Sequence, residues 1–267
     1  MPQATPDGRR SPIIALASTK GGVGKTTLAY VLATEIARQF SLSPPNGSSR
    51  AARVTCIDAD PNRTLSQVLS LTEDETIACI ESDGERLLGD LRSCLARTDL
   101  VLIDLEGTAN QAMLYAAGKS DLVLVPAQPS RFDVVEAVKT VGVVRKAADL
   151  IGREIAHCVV LSRTPVLRQR VADHTRAQFV RAGLPLLPVE LVQRAAFQTM
   201  TYTGEPPYRQ AGAEAAAENV SSLAGAVMAI VGLTVPPPAP VREPFLETVP
   251  SKVSHARPHL QVIQGRA

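Results

Sequence analysis

Short apolar runs alternate along the chain with longer stretches in which apolar residues recur at helical spacing. The apolar runs cover residues 13–17, 54–57, 100–104, 122–126, 156–161 and 184–187. The helical patterns begin at residue 28 and occupy residues 84–97, 132–150, 166–183 and 211–231. Apolar runs that lack polar alternation are typical of parallel strands covered on both faces. The order of the elements therefore predicts an α/β fold with a doubly wound, mainly parallel sheet flanked by helices.

Both ends of the chain differ in composition from this regular middle. Residues 1–11 are polar and contain proline, and we expect a flexible N-terminus, whereas the proline-rich residues 234–267 predict a disordered tail. Residues 42–49 are rich in Ser, Pro, Asn and Gly and predict a loop. Residues 71–83 are acidic and irregular in pattern. One domain is expected over residues 12–233, because a chain of 267 residues with 45% hydrophobic content can bury a full core.

A glycine-rich turn follows the first apolar run and leads into the first helical pattern. The residues that we predict to bind phosphates here are Gly21, Gly22, Val23, Gly24, Lys25, Thr26 and Thr27. Glycines let the backbone bend tightly and direct several N–H groups at one anion. Lys25 adds a charge for the β- and γ-phosphates, and the Thr26 hydroxyl is placed for Mg²⁺. The turn predicts a nucleoside triphosphate site with magnesium; the alternative is a glycine-rich turn with solvated lysines.

Carboxylates follow two of the apolar runs. Asp58 and Asp60 come after the run at 54–57, and Asp104 ends the run at 100–104. In an open α/β sheet the carboxyl ends of the strands form the ligand-binding edge, so these groups should face the same crevice as the glycine-rich turn. Carboxylates there can hold magnesium or accept a proton from an attacking water. The alternative is structural: Asp58 and Asp60 cap a helix and Asp104 makes a turn.

The glycine-rich turn resembles the deviant Walker A motif of the ParA/MinD family of P-loop ATPases, K-G-G-x-G-K-[ST]. The general pattern G-x-x-x-x-G-K-[ST] asks for glycine where this chain has Ser18 or Thr19, and Lys20 is the extra lysine of the deviant form. The resemblance implies the P-loop NTPase fold, ATP and Mg²⁺ as cofactors, and slow hydrolysis stimulated by partners and DNA. It also implies a dimer that encloses two ATP molecules, in which Lys20 reaches the partner subunit's phosphates and acts in catalysis with Lys25.

The resemblance extends to the acidic residues. The segment from Asp58 to Asn62 is similar to the family's switch-I pattern D-x-D-P-Q, with Asn62 in place of the glutamine. This similarity implies that Asp60 positions or activates the attacking water and that Asp58 lies near the Mg²⁺ shell. Asp104 would end a Walker B strand and hold the metal together with Thr26.

The chain departs from the family after this strand. Most members have D-x-P-P, whereas here Asp104-Leu105-Glu106-Gly107 resembles the D-x-x-G of GTPases, which would let the Gly107 N–H sense the γ-phosphate. The guanine-specifying N-K-x-D has only a near match, at residues 118–121 and ahead of its strand, so ATP is favoured over GTP. Ser162 and Arg163 stand where many relatives place an asparagine near the base, which leaves recognition of the base by a side chain open.

The net charge is only +2, but it is unevenly distributed. Residues 151–210 contain eight arginines, no lysine and four acidic residues, which favours an anionic partner. Arg170, His174 and Arg181 fall on one side of a predicted helix. Because guanidinium groups bind phosphate oxygens bidentately, Arg168, Arg170 and Arg181 are candidates for nonspecific DNA binding. The alternative is a solvated helix face.

The cysteines and the distribution of apolar residues indicate the cellular compartment of the protein. The four cysteines, Cys56, Cys79, Cys94 and Cys158, show no metal-ligand spacing and predict buried thiols in a reducing compartment. No secretory signal and no apolar run long enough to span a bilayer is recognisable in the sequence. Prolines interrupt any amphipathic helix in the tail, which argues against the membrane-attached MinD branch. We expect a cytoplasmic, nucleoid-associated protein.

Further matches narrow the resemblance to the ParA-like ATPases of the agrobacterial T-DNA transfer system. They comprise Asp58-Ala59-Asp60, Leu124-Val125-Pro126 with Asp133 and Glu136-Ala137, Arg168-Gln169-Arg170-Val171, and Arg194-Ala195-Ala196-Phe197 with Met200 and Gly204. They imply an ATPase that positions or partitions plasmid DNA or a DNA-transfer complex, with a ParB-like or relaxosome-type partner. The alternatives are an ATP-dependent metabolic enzyme on the same scaffold and a MinD-like positioning ATPase. Iron-protein relatives are disfavoured because no cysteine lies between Asp104 and Cys158.

Overall fold

A computed structural model describes residues 10–43, 52–167 and 170–233. The predicted tail at 234–267, most of the predicted flexible N-terminus, most of the 42–49 loop and the DNA-binding candidate Arg168 lie outside these residues. The predicted domain limits at 12 and 233 stay predictions.

The described residues form a seven-stranded sheet in which all neighbouring strands run parallel. The strands are β1 (Ile13–Leu16), β2 (Val54–Ala59), β3 (Ile77–Glu81), β4 (Leu100–Leu105), β5 (Leu122–Ala127), β6 (Ala156–Thr164) and β7 (Leu191–Val192). Their order across the sheet is β3-β2-β4-β1-β5-β6-β7. Strand β1 is therefore central, and every residue of β1, β2, β4 and β5 is buried.

Helices cover both faces of the sheet. They are α1 (Lys25–Leu42), α2 (Thr64–Ser70), α3 (Leu87–Leu95), α4 (Gln111–Lys119), α5 (Arg131–Ile151), α6 (Arg170–Arg181), α7 (Ala196–Thr203) and α8 (Glu214–Ile230). One hydrophobic cluster joins α1, α2, α7 and α8 to the sheet, and a second joins α3, α4, α5 and α6. The predicted doubly wound fold is confirmed. Over the described ranges, no helix combines the length and apolarity needed to cross a membrane.

Two sequence predictions of elements are wrong. Residues 184–187 form no strand but a single parallel bridge between Leu186 and Val159, because Pro185 has no N–H to donate to a ladder. The strand of this region, β7, lies further along the chain. Residues 71–83, predicted to be irregular, contain β3, whose edge position leaves it partly exposed and without a continuous apolar run.

Candidate functional site

The glycine-rich turn connects the carboxyl end of the central strand β1 to the start of α1. Gly24 is the N-cap residue of α1 and has a φ of 96°, a left-handed conformation that a residue with a Cβ adopts only with strain. A cavity of about 390 Å³ lies above the turn. Its walls are Gly21, Gly22, Gly24, Lys25, Thr26, Thr27, Asp60, Asn62, Glu106, Gly107, Thr108 and Arg163. The structure thus brings most of the predicted nucleotide-binding residues around one space, hereafter the phosphate cavity.

Lys25 provides the buried positive charge of this cavity. Its side chain is only 6% exposed, and burial lowers its pKa, an effect that the charges of Asp104, Asp60 and Glu106 oppose. Its Nζ lies 3.5 Å from the carbonyl oxygen of Lys20. A buried ammonium with so few partners is stabilised by an anion, and the cavity above it has room for one.

Thr26 and Asp104 meet at the floor of the cavity. The Thr26 hydroxyl donates to Asp104 Oδ2 at 2.7 Å, while Asp104 Oδ1 is buried and has no hydrogen-bond partner within the described part of the chain. Burial raises the pKa of Asp104 to about 7. A hydroxyl beside a carboxylate with a vacant oxygen suits a hard cation such as Mg²⁺, which prefers oxygen ligands. These two residues therefore fit the predicted metal.

Asp58 and Asp60 have different surroundings. Asp58 is fully buried, and its two carboxylate oxygens accept the backbone N–H groups of Asp60 at 3.1 Å and of Ser66 at 2.9 Å. Burial raises the pKa of Asp58, and these two hydrogen bonds oppose the rise. Asp60 instead borders the phosphate cavity, with Oδ1 accepting two hydrogen bonds from Asn62 at 2.9 Å each. Asp58 thus shapes the turn into α2, and Asp60 is the carboxylate that faces a ligand.

Gly107 touches the glycine-rich turn backbone to backbone. A Cβ at this position would lie 2.9 Å from the Gly21 N and 3.0 Å from the Gly21 Cα. Contacts this short between a Cβ and backbone atoms require one of the two segments to move. The sequence pointed to Gly107 through its likeness to D-x-x-G, but this contact with the turn was not foreseen.

Lys20 does not line the phosphate cavity, and its side chain is paired with α5. Its Nζ lies 2.8 Å from Oδ2 of Asp133, a buried residue in the first turn of that helix. The preceding Thr19 donates its hydroxyl to Glu136 at 2.7 Å and its N–H to Thr140 at 3.0 Å. The front of the turn is therefore fixed to α5. Asp133 and Glu136 were quoted in the family resemblance but were given no role from the sequence.

A second, smaller cavity of about 180 Å³ adjoins the first, and both are bordered by Gly24, Thr27 and Arg163. We call it the second cavity. Its other walls are Ser162, Leu191, Val192, Gln193, Arg194, Phe197 and Gln198. Ser162 donates to the Val23 carbonyl at 2.6 Å and so links β6 to the glycine-rich turn. Gly24 and Thr27 were predicted to bind phosphates, and Ser162 and Arg163 were considered for the base; sequence reasoning gave no site role to the other residues of this cavity.

Of the three predicted DNA-binding arginines, Arg170 and Arg181 lie on α6 and line neither cavity, and Arg168 is outside the described residues. Arg170 and Arg181 are exposed, whereas Arg176 of the same helix pairs with Asp173 and Glu190. Exposed apolar residues share this surface, among them Val171 and Val180. The helix surface is thus less uniformly basic than the sequence suggested.

A glycine turn between a central parallel strand and a helix, with a lysine and a threonine at the helix start and an acid on the adjacent strand, defines a P-loop nucleotide-binding protein. More narrowly, the chain belongs to the VirC1 protein family, whose model matches residues 12–206. The family resemblance drawn from the sequence is confirmed.

Individual relatives agree with this assignment. Protein ParA of Rhizobium radiobacter is 29% identical over 223 residues, which cover 81% of this chain and 96% of that protein. Protein virC1 of the same organism is 26% identical over 199 residues, which cover 72% of this chain and 81% of that protein. The chain spans most of the length of both relatives.

Solved structures share the fold. The ATP complex of a Cyanothece McdA variant superposes with a TM-score of 0.68 at 18% identity, covering 84% of this chain and 97% of that one. The cell division ATPase MinD of Pyrococcus furiosus superposes with a TM-score of 0.65 at 21% identity, covering 82% of this chain and 99% of that one. The septum site-determining protein MinD of Pyrococcus horikoshii, complexed with Mg-ADP, superposes with a TM-score of 0.64 at 19% identity, covering 83% of this chain and 98% of that one.

Proposed function

We propose that this chain binds ATP with Mg²⁺ in the phosphate cavity, hydrolyses it, and uses the cycle to position or partition DNA. The observation that carries the proposal is the Thr26–Asp104 pair with its vacant Oδ1, lying below a glycine turn beside a buried lysine. The ATP and Mg-ADP complexes of McdA and MinD support the choice of ligand.

Each residue of the cavity has a role in this proposal. The N–H groups of the turn and the start of α1 bind the phosphates, and Lys25 neutralises their charge. Thr26 and Asp104 hold the Mg²⁺, which would neutralise charge on the phosphate oxygens when bound. Asp60 borders the cavity and is positioned to accept a hydrogen bond from the attacking water. Gly107 lies against the turn at Gly21, and in this proposal its N–H donates to the terminal phosphate.

The proposed active form is a homodimer with two ATP molecules between the subunits. Lys20 would leave Asp133 and reach the partner subunit's phosphates. The lysine side chain is 38% exposed and can move, whereas Asp133 is 2% exposed and would keep the hydrogen bonds that it accepts from the Gln128 N–H and the Ser130 hydroxyl. These hydrogen bonds offset in part the cost of leaving the buried carboxylate without its cation.

DNA is the proposed partner of the ATP-bound dimer, bound without sequence specificity through the exposed arginines of α6. The similarity to ParA and virC1 proteins supports this role. A ParB-like or relaxosome-type protein would stimulate hydrolysis, and DNA binding would place the protein on the nucleoid.

The test is ATP hydrolysis by the wild type, Lys25→Ala and Lys20→Ala, each with and without plasmid DNA, alongside the molecular mass in ATP. We expect slow turnover and an ATP-dependent dimer for the wild type, loss of ATP binding in Lys25→Ala, and retained binding without turnover in Lys20→Ala. A wild type that binds no ATP would refute the proposal. Unchanged turnover in Lys20→Ala would refute the role of that lysine across the dimer.

A further inference from the structure

The turn that carries Asp60 contains a residue with a strained backbone. Arg63 has a φ of 53° and a ψ of 30°, in the left-handed region that residues with a Cβ rarely adopt. Among the described residues other than glycine, only Arg163 shares a positive φ. Strained backbone persists where surrounding contacts hold it in place, and it is concentrated at functional sites. The contacts that Arg63 makes must therefore offset the cost of its conformation.

The guanidinium group of Arg63 joins the ends of two strands. Its Nη1 donates to the carbonyl oxygen of Asp58, near the end of β2, and to that of Ser82, directly after β3. The Ser82 N–H donates to the same Asp58 carbonyl at 2.8 Å. Ser82 is buried and donates its hydroxyl to Asp90 of α3 at 2.6 Å. The guanidinium is thus attached to the framework of the sheet, and Arg63 does not line the phosphate cavity.

The backbone of the same residue closes the turn that presents Asp60. The Arg63 N–H donates to the Asp60 carbonyl at 3.0 Å, and the Arg63 carbonyl accepts the Gln67 N–H of α2 at 3.0 Å. Both hydrogen bonds from Asn62 go to Oδ1 of Asp60, and within the described ranges Oδ2 accepts none. Asp60 therefore has one carboxylate oxygen held by the turn and one left for a ligand of the cavity that it borders.

We infer that Arg63 is a positioning residue for ATP hydrolysis, which fixes Asp60 at the phosphate cavity by attaching its turn to the ends of β2 and β3. This inference rests on the proposed ATPase activity and on the proposed role of Asp60 beside the attacking water. A carboxylate orients water only if it is itself held in place, since a displacement of about 1 Å can slow a reaction strongly. Arg63 touches neither nucleotide nor water in this role and acts through Asp60.

The test is Arg63→Gly, because glycine adopts a φ of 53° without strain and the variant loses the guanidinium group while keeping the turn. The matched control is Arg153→Gly, which removes an exposed guanidinium that donates to the Ser120 carbonyl at 2.9 Å, ahead of β5 and at the amino ends of the strands. Calorimetry measures ATP binding with Mg²⁺, and phosphate release measures turnover. We expect Arg63→Gly to bind ATP within about twofold of the wild type and to turn over about tenfold more slowly. The control should match the wild type in both measurements.

Added guanidinium ion distinguishes positioning from a general loss of structure. Guanidinium chloride at millimolar concentration, far below denaturing levels, supplies the missing donor to the two carbonyl oxygens. It should restore part of the turnover of Arg63→Gly and leave the wild type and the control unchanged. Arg63→Lys carries the same comparison if Arg63→Gly does not fold. Lysine keeps the charge but lacks the forked donor, so this variant should bind ATP normally and turn over more slowly than the wild type.

The possible outcomes separate this inference from the proposed function. Wild-type turnover in Arg63→Gly would overturn the role of Arg63 and leave the ATPase standing. A loss of ATP affinity as large as the loss of turnover would show that Arg63 supports the whole cavity, which contradicts a role through Asp60. A slow variant that guanidinium does not restore would contradict it as well. A wild type that hydrolyses no ATP would overturn the proposed function itself.

Discussion

At the scale of single residues, the phosphate cavity depends on atoms that have almost no freedom to change. Gly107 approaches the turn so closely that a methyl group would displace it, and Asp104 keeps one buried oxygen without a partner in the described structure. The unpaired Asp104 oxygen lowers the stability of the ligand-free protein, and the close contact of Gly107 leaves no room for a larger residue at that position. Such features are typical of binding sites, where the missing partner is the ligand.

Substitution of Gly107 by alanine should therefore impair ATP binding. The added Cβ would lie 2.9 Å from the Gly21 N and would push the turn out of position, so we expect at least a tenfold loss of ATP affinity in calorimetry. The control is Gly142→Ala in the interior of α5, where a Cβ meets nothing within 4 Å. That variant should gain about 0.5–1 kcal/mol of stability and bind ATP normally. Normal ATP affinity in Gly107→Ala would show that the turn tolerates the displacement.

Asp104→Asn should abolish Mg²⁺ binding without lowering the stability of the ligand-free protein. The asparagine oxygen can still accept from Thr26, and the substitution removes a charge that is fully buried. We expect the ligand-free variant to be at least as stable as the wild type, with a gain in the free energy of unfolding on the order of 1 kcal/mol at most. The stabilisation that Mg²⁺ adds to the ATP-bound protein should disappear in thermal melts. A variant that still gains stability from Mg²⁺ would exclude Asp104 as the metal-holding residue.

At the scale of elements, α5 connects the turn to the rest of the molecule. Its first two turns present Asp133 to Lys20 and Glu136 to Thr19, so one helix holds the front half of the glycine-rich turn. The same part of α5 exposes Phe132, Val135 and Val138. A shift of this helix would be transmitted directly to Lys20.

Releasing Lys20 from α5 should favour the dimer. Asp133→Asn removes the charge that holds Lys20 while keeping an oxygen that can accept from the Gln128 N–H. If Lys20 acts across the dimer, the variant should dimerise in ATP at severalfold lower protein concentration, measured by light scattering. The double variant Lys20→Ala, Asp133→Asn should lose this gain. A gain that persists in the double variant would show that Asp133 acts independently of the lysine.

The sequence predicted those elements whose signals are local. Five strands were predicted because burial on both faces requires continuous apolar residues; they are β1, β2, β4, β5 and β6. The glycine-rich turn was predicted because a close approach of the backbone to phosphate requires glycines. Helix α3 was found through its regularly spaced leucines, whereas α4 has the same length but mainly alanines on its buried face and was missed, as was α7. Strand β3 was missed because it is a partly exposed edge strand. Contacts between distant segments, such as Lys20 with Asp133 and Gly107 with Gly21, have no counterpart in local pattern. Arg63 was not singled out, since the carbonyl oxygens that its guanidinium contacts are brought together only in three dimensions.

At the scale of the whole molecule, the two proposed activities occupy different places. The cavities lie at the carboxyl ends of the central strands, whereas the arginines proposed for DNA lie on α6, beside α5. Of the described arginines on that helix, Arg176 is engaged in ion pairs, so Arg170 and Arg181 at its two ends are the candidates for contact with DNA phosphates.

Arg170→Gln with Arg181→Gln should weaken DNA binding without affecting ATP. We expect the ATP-bound double variant to lose affinity for plasmid DNA by about tenfold and to show a shallower salt dependence, because each lost phosphate contact reduces the counterions released. The control is Arg92→Gln, an exposed arginine on α3, which packs near β2 rather than beside α5 and α6. Equal DNA affinity in the double variant and the control would place the DNA surface elsewhere.

Helix α8 connects the two ends of the described chain, because it packs on α1, which begins at the glycine-rich turn, and its Asn219 holds the strand β7 that borders the second cavity. The turn and the second cavity therefore depend on the same C-terminal helix, and a chain that stops before α8 should lack both. Asn219→Ala removes only the hydrogen bonds to β7, so protection from proteolysis by tripolyphosphate should be retained while any additional protection by ATP is reduced.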